Sequence, residues 1–271
     1  MIAVRTTRRI LLAEDNPVNQ RVATAMLEHL GFHVHVVSDG AEAVRAAILT
    51  PYQAILMDCD IPGLDGYQAT SEIRRLQGTS RGTPIIAVTA SPVESVGQSC
   101  LAAGMDDCLS KPLTLKALAT VLDHWAPDGS RSDIADEWAE PLPDAGRADA
   151  ADRARPVLDA RVVGRLERLG NRAGEDLMEQ LAVLFLTNAD ARVNAMRKAL
   201  SRDDAGAVVR SAHTLSGASA NLGATELARL CATLATDGAA GDPAGGGVLV
   251  QEIEAELERV RHALDSRTPA R

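Results

Sequence analysis

The sequence predicts a doubly wound α/β domain with a five-stranded parallel sheet, followed by an all-α four-helix bundle. Three observations carry that prediction. Short apolar runs alternate strictly with helical patterns from residue 8 to about residue 126. The alternation then stops in a stretch dominated by Asp, Ala, Arg, Pro and Gly. Beyond Pro156 every segment has a helical period and no strand signal survives. Near-continuous apolar strands separated by helices fit a sheet that is covered on both faces.

The strands are read at 10–13, 34–37, 54–57, 85–88 and 107–110, with helices over 17–30, 40–49, 66–77, 93–103 and 114–124. In such sheets the chemistry sits just beyond the carboxyl ends of the strands. Pro127, Pro141, Pro143 and Pro156 punctuate the following stretch, which reads as a linker with little fixed structure. Trp138 within it reads as a coincidental exposed aromatic. The helices of the second half are expected at 159–169, 174–201, 204–221, 224–236 and 246–265, with residues 237–247 as a loop. Substantial antiparallel helices of this kind make a bundle. The expected division is therefore 1–126, a flexible linker over 127–155, and 156–271.

Composition narrows the function. A chain of 271 residues with 46% hydrophobic and 24% charged residues is globular and long enough for two cores. Its net charge of −9 and its 2% aromatic content argue against a nucleic-acid partner, since phosphate backbones attract basic patches and bases stack on aromatic rings. Cys59, Cys100, Cys108 and Cys231 lack metal-ligand spacing and read as small buried residues in a reducing compartment. No run approaches the length of a membrane span. The expectation is a cytoplasmic protein, or the soluble tail of a larger one.

Glu14 and Asp15 close the first strand, Asp58 closes the third, Thr89 follows the fourth and Lys111 the fifth. All five therefore converge on one edge of the sheet. Three carboxylates brought together repel unless a hard cation joins them. Mg²⁺ suits an all-oxygen site and commonly shares its shell with phosphate. A hydroxyl and an ammonium would complete a clamp for phosphoryl oxygens.

The segments Leu12-Ala-Glu-Asp-Asn-Pro-Val-Asn-Gln20, Ile55-Leu-Met-Asp-Cys-Asp-Ile-Pro-Gly-Leu-Asp-Gly66, Ile86-Ala-Val-Thr-Ala90 and Ser110-Lys-Pro112 resemble the receiver domain of two-component signalling, in the form attached to hybrid sensor kinases. The resemblance covers residues 8–125 and implies a flavodoxin-like fold. It implies that Asp58 accepts a phosphoryl group, that Asp15 and Asp58 bind Mg²⁺ directly, that Glu14 acts through water, and that the carbonyl of Asp60 adds a main-chain ligand. Thr89 and Lys111 would hold phosphoryl oxygens, and the Lys111-Pro112 bond would be cis. Two positions depart from the pattern. Cys108 stands where receivers usually carry an aromatic that reports phosphorylation to the far face, so coupling to that face is expected to be weak or to take another route. Asp60 adds a carboxyl two residues past the acceptor. A haloacid-dehalogenase-like phosphatase would use a similar residue set, but there the nucleophile ends the first strand and the acidic pair follows the lysine. Here Asp106 and Asp107 precede Lys111, so the order disagrees.

On the helix read at 204–221, Ala212, Leu215, Ser219 and Leu222 fall within about 40° of Val208 and make one packing stripe with it. His213 lies roughly 140° from it, with Gly217 and Ala220 as neighbours on its own face. That places an imidazole on the wet side of a helix beside a residue with no side chain. The segment from Ser211 to Gly223, with Pro156-Val-Leu-Asp159 and Leu186-Thr-Asn-Ala-Asp190, is similar to histidine phosphotransfer (HPt) domains over roughly 156–265. The resemblance implies that His213 carries a phosphoryl group. That family usually has a lysine three residues after the histidine; Ser216 stands there, and the lost charge bears on the lifetime of a phosphohistidine. His29, His33, His35, His124 and His262 lack this setting.

No nucleotide-binding domain or Gly-rich phosphate loop is seen in the sequence. The expected role is a phosphorelay intermediate rather than an enzyme with its own ATP site, the receiver being able to dephosphorylate itself. A separate sensor histidine kinase would supply Asp58. Transfer to His213 would follow, and then to or from a downstream response regulator receiver. A linker of about 30 residues reaches roughly 30 Å as a coil, enough to allow transfer within one chain. Two alternatives stand beside this reading: a phosphate sink draining a kinase, and a non-catalytic docking protein that uses both modules as binding surfaces.

Overall fold

The computed structural model describes residues 8–75, 81–90, 93–126, 156–238 and 243–267. The expected linker and Trp138 lie outside them. The chain divides into two compact units, Met1–Ala13 with Leu30–Pro156 and Glu14–His29 with Val157–Arg271.

The first unit is built on a parallel sheet of β1 (Arg9–Ala13), β2 (His33–Val37), β3 (Ala54–Asp58), β4 (Ile85–Thr89) and β5 (Asp107–Ser110), in the order β2-β1-β3-β4-β5. The central strands β3 and β4 are buried along their whole length, and β1 over all but its first residue. Apolar side chains are needed on both faces of such strands, which is why they read as continuous hydrophobic runs. The edge strands are half-exposed. His33 and His35 face solvent on β2, where His35 Nδ1 meets the Tyr52 hydroxyl. One core gathers Leu11, Ile55, Met57, Ile85 and Ala87 with Ala43, Ala47 and Ala69 from α2 (Gly40–Leu49) and α3 (Gly66–Arg75). Helices α4 (Val93–Ala103) and α5 (Leu115–Trp125) complete the alternation.

Asp58 closes its strand as expected, and Thr89 also closes its own rather than following it, because the ladder continues through the pairs Asp58↔Val88 and Thr89↔Ser110. At the opposite end of the sheet, Asp106 accepts from Arg74 and from the Ile85 amide (2.7 Å). Asp107 accepts from the Cys108 amide (2.7 Å) and from the Trp125 indole (2.9 Å). The acidic pair therefore fastens the far edge of the sheet, which removes the phosphatase-like reading of those carboxylates.

The second unit takes α1 (Pro17–His29) together with α6 (Ala160–Ala173), α7 (Leu177–Leu200), α8 (Ala205–Leu222), α9 (Thr225–Gly238) and α10 (Pro243–Asp265). Its core joins Leu181, Phe185 and Met196 to Ala212 and Leu215, and these to Cys231, Ile253 and Val260; Val18 and Val22 belong to the same cluster. Asp159, Asp176 and Asp204 cap α6, α7 and α8, each accepting a main-chain N–H of the first turn. Helix α6 runs four residues past its expected end at 169. Gly170 does not break it but allows a close approach, since a Cβ there would lie 2.7 Å from Leu177 Cβ. Helix α10 starts at Pro243, ahead of the expected 246. Proline suits the first helical position, and packing overrides the poor propensity of the glycines that follow.

Candidate functional site

Parallel strands end together, so residues far apart in sequence meet at one edge. Glu14, Asp15 and Asp58 each offer a carboxylate oxygen, and these atoms lie within 4.8 Å of one another. Glu14 is 4% exposed and Asp58 3%. Lys111 Nζ donates to Asp58 Oδ2 at 2.7 Å, and the Asp60 amide donates to Asp58 Oδ1 at 3.1 Å. The loop after β1 holds Glu14 in place: Oε1 accepts from the Asn16 amide and from the Asn19 side-chain amide, both at 3.1 Å. Asn16 is itself buried, and its Oδ1 accepts from the Val18 amide at 2.9 Å, which starts α1. Thr89 is 1% exposed, and its carbonyl accepts from the Lys111 amide at 2.7 Å, tying the fourth and fifth strand ends together. The Lys111-Pro112 peptide is cis.

The structure thus brings together Glu14, Asp15, Asp58 and Lys111. It leaves the side chain of Asp60 exposed and outside the carboxylate cluster. The three carboxylates are buried or half-buried, with the Lys111 ammonium on Asp58 and the Arg192 guanidinium 3.7 Å from Asp15, and they fit a hard divalent cation because every donor is oxygen. Gly66 was not singled out from the sequence, yet the site depends on it. A Cβ there would sit 2.2 Å from the carbonyl oxygen of Asp58, so only glycine lets α3 start against β3. The clue was the close spacing of Asp58 and Gly66, which forces the chain to turn back at once. Asn16 and Asn19 were also missed, as buried asparagines leave no pattern in hydropathy.

Burial pushes the Cys59 thiol, next to Asp58, up to about 12 from 9.0. The Tyr67 hydroxyl, at the start of α3, is raised chiefly by desolvation and then by its hydrogen bond with Cys59.

The second site is on α8. All five stripe residues are buried: Val208 is 2% exposed, and Ala212, Leu215, Ser219 and Leu222 are 0%. His213 is half-buried rather than fully open, as are Gly217 and Ala220. Ser216 leans toward α9, where its hydroxyl donates to the Ala228 carbonyl at 2.9 Å. Helix α8 ends at Gly223, whose φ of 85° is the left-handed conformation that favours glycine.

Comparison with known proteins agrees with both halves. Residues 10–123 match the response regulator receiver domain, and residues 180–263 match the Hpt domain. The sensor histidine kinase GacS of Pseudomonas protegens is 31% identical over 226 residues, which cover 82% of this chain and 23% of GacS. RcsC of Salmonella typhi is 38% identical over 117 residues, 43% of this chain and 12% of RcsC. Among solved structures, the receiver domain of a Pseudomonas aeruginosa sensor histidine kinase, described with a magnesium ion in its active-site cleft, is 50% identical. It covers 45% of this chain and 98% of that one, with a TM-score of 0.42. The chain spans about a quarter of the length of the first curated relatives it matches. No helix among the described residues is long and apolar enough to cross a membrane. The chain joins a response regulator receiver domain to an Hpt domain, the two modules of two-component signalling that its halves match.

Proposed function

We propose that the protein is a phosphorelay intermediate: Asp58 accepts a phosphoryl group from a sensor histidine kinase, and His213 exchanges it with Asp58 and with a downstream receiver. The observation that carries this reading is the pairing of Lys111 with a buried Asp58 beside Glu14 and Asp15. Such a carboxylate has one oxygen on a cation and is placed to attack phosphorus. The receiver is assigned to 1–126, the linker to 127–155 and the phosphotransfer bundle to 156–271. The chain acts as a carrier, and a kinase elsewhere supplies the phosphoryl group.

Glu14, Asp15 and Asp58 would hold Mg²⁺, with the Asp60 carbonyl as a main-chain ligand. When bound, the ion offsets the repulsion between attacking carboxylate and phosphoryl oxygens. Lys111 and the Thr89 hydroxyl hold phosphoryl oxygens, and Gly66 keeps α3 close behind the acceptor. In the onward step a lone pair on one ring nitrogen of neutral His213 attacks phosphorus. The P–O bond breaks, and the Asp58 carboxylate leaves with the bonding pair. The other ring nitrogen keeps its proton, so the transfer needs no general base. Gly217 leaves room beside the ring, and Ser216 contributes a neutral neighbour.

The test uses radiolabelled phosphate and a histidine kinase. Label is expected on both Asp58 and His213 in the wild type. Asp58→Asn should lose both, and His213→Gln should keep the alkali-labile aspartyl label only. Label that returns to the kinase and never reaches another receiver would favour a phosphate sink. No label at all would favour a docking protein.

A further inference from the structure

A phosphoryl group on His213 adds about two negative charges to the face of α8. Nothing on that helix balances them. Ser216 is neutral and its hydroxyl is committed to the Ala228 carbonyl. Arg210, three residues before His213, turns back along the helix, its Nη1 lying 3.2 Å from where a Gly206 Cβ would be. On α9, Arg229 is engaged by both carboxylate oxygens of Glu226 at 3.0 and 2.6 Å.

We propose that Arg192, on the neighbouring helix α7, is the cation that faces the phosphoryl group on His213. The inference rests on the relay reading and deepens it. Residues 201–204 join α7 to α8, so the two helices run antiparallel from a tight turn. Arg192 is eight residues before the end of α7 at Leu200, and His213 eight residues after the start of α8 at Ala205. At 1.5 Å per residue both stand about 12 Å from the turn, at the same height.

The contacts of two adjacent residues put them on the same face. Asp15 Oδ2 lies 3.7 Å from Arg192 Nη2, and the next residue, Asn16, donates from Nδ2 to the Thr214 carbonyl at 3.3 Å. A two-residue span therefore bridges Arg192 to the residue that follows His213. The Arg192 side chain is 31% exposed, and its pair with Asp15 is too long for a strong hydrogen bond. Five N–H donors in a planar fork leave it able to turn onto phosphoryl oxygens. A guanidinium there draws charge from the non-bridging oxygens. That opposes P–N cleavage, which passes through a loose transition state fed by those oxygens.

The experiment phosphorylates the full chain carrying Asp58→Asn with phosphoramidate and follows phosphohistidine by phosphorus NMR. Arg192→Ala is expected to shorten the phosphohistidine half-life about tenfold, the scale of one charge-assisted hydrogen bond. Arg192→Lys should restore most of it. The half-life with Arg192 should shorten as salt is added, and that of Arg192→Ala should not. Equal half-lives for Arg192 and Arg192→Ala, or an Arg192→Lys protein that decays as fast as Arg192→Ala, would overturn the assignment while leaving the relay intact. A protein with Arg192 that gives no more phosphohistidine than its His213→Gln counterpart would instead overturn the relay reading itself.

Discussion

The two proposed phosphoryl sites are built by opposite means. Around Asp58, four charged groups come from three strand ends spread over about a hundred residues, and two of them are almost fully buried. Around His213, one helix supplies the ring and its small neighbours at three- and four-residue spacing, and the ring stays half-exposed. The sheet concentrates charge by tertiary convergence. The helix presents a single imidazole by periodicity, and on the proposed assignment of Arg192 it leaves charge balance to its neighbour. One consequence is that the aspartate site should be sensitive to many distant residues, and the histidine site to few.

The largest effects should come from the two proposed acceptors themselves. Asp58→Asn and His213→Gln are each expected to abolish labelling at their own position, with far-ultraviolet circular dichroism unchanged. Residual label at position 58 in Asp58→Asn would break the contrast at its root.

Core truncations should come next. Phe185 is fully buried in the helical unit, and Phe185→Ala is expected to cost about 3–5 kcal/mol through lost burial and a cavity. Met57→Ala should cost about 2–5 kcal/mol in the sheet unit. Urea titration read in each unit separately checks both; a substitution that lowers both midpoints equally would mean that the units unfold together.

Lys111→Met should cost about 3 kcal/mol in metal-free buffer, because it strips the ammonium from Asp58 and leaves three carboxylates facing one another. Millimolar magnesium should recover part of the loss, since a ligand that binds only the folded state stabilises it. Thermal melts with and without the ion test this. The same loss in both conditions would argue against a cation among Glu14, Asp15 and Asp58.

A smaller effect acts on both units alike through pH. Burial raises Cys59 in the sheet unit and Cys231 in the bundle to about 12 from 9.0. A thiol raised on folding contributes stability that is intact below pH about 9 and is lost as pH climbs toward 12. The urea midpoint should therefore fall between pH 9 and 11, less steeply in Cys59→Ala and Cys231→Ala proteins. At pH 8, half-buried Cys108 should react with a thiol reagent before either of them. Smallest of all should be the shift of α5 backbone resonances on phosphorylation, given a cysteine at position 108. Shifts as large as those around Asp58 would show a strong coupling route.

Much of the fold was legible in one dimension. Alternating apolar runs located every strand, because central parallel strands must be apolar on both faces. The period of α8 put five residues in the core and His213 off it, because a helix fixes direction by residue count alone. Boundaries were less legible where local propensity and packing disagree. Gly170 looked like an end and is a contact, and the glycines after Pro243 looked like a loop and form a helical turn.

By itself, the sequence determined which residues could do chemistry and which element each belongs to, since residue type and period are local properties. Only the tertiary structure decided that Lys111 meets Asp58 at 2.7 Å, that Gly66 admits no Cβ against the acceptor strand, and that Ser216 turns its hydroxyl to α9. Those facts depend on where separate segments come to rest against one another. Close packing sets that, and no count along the chain contains it.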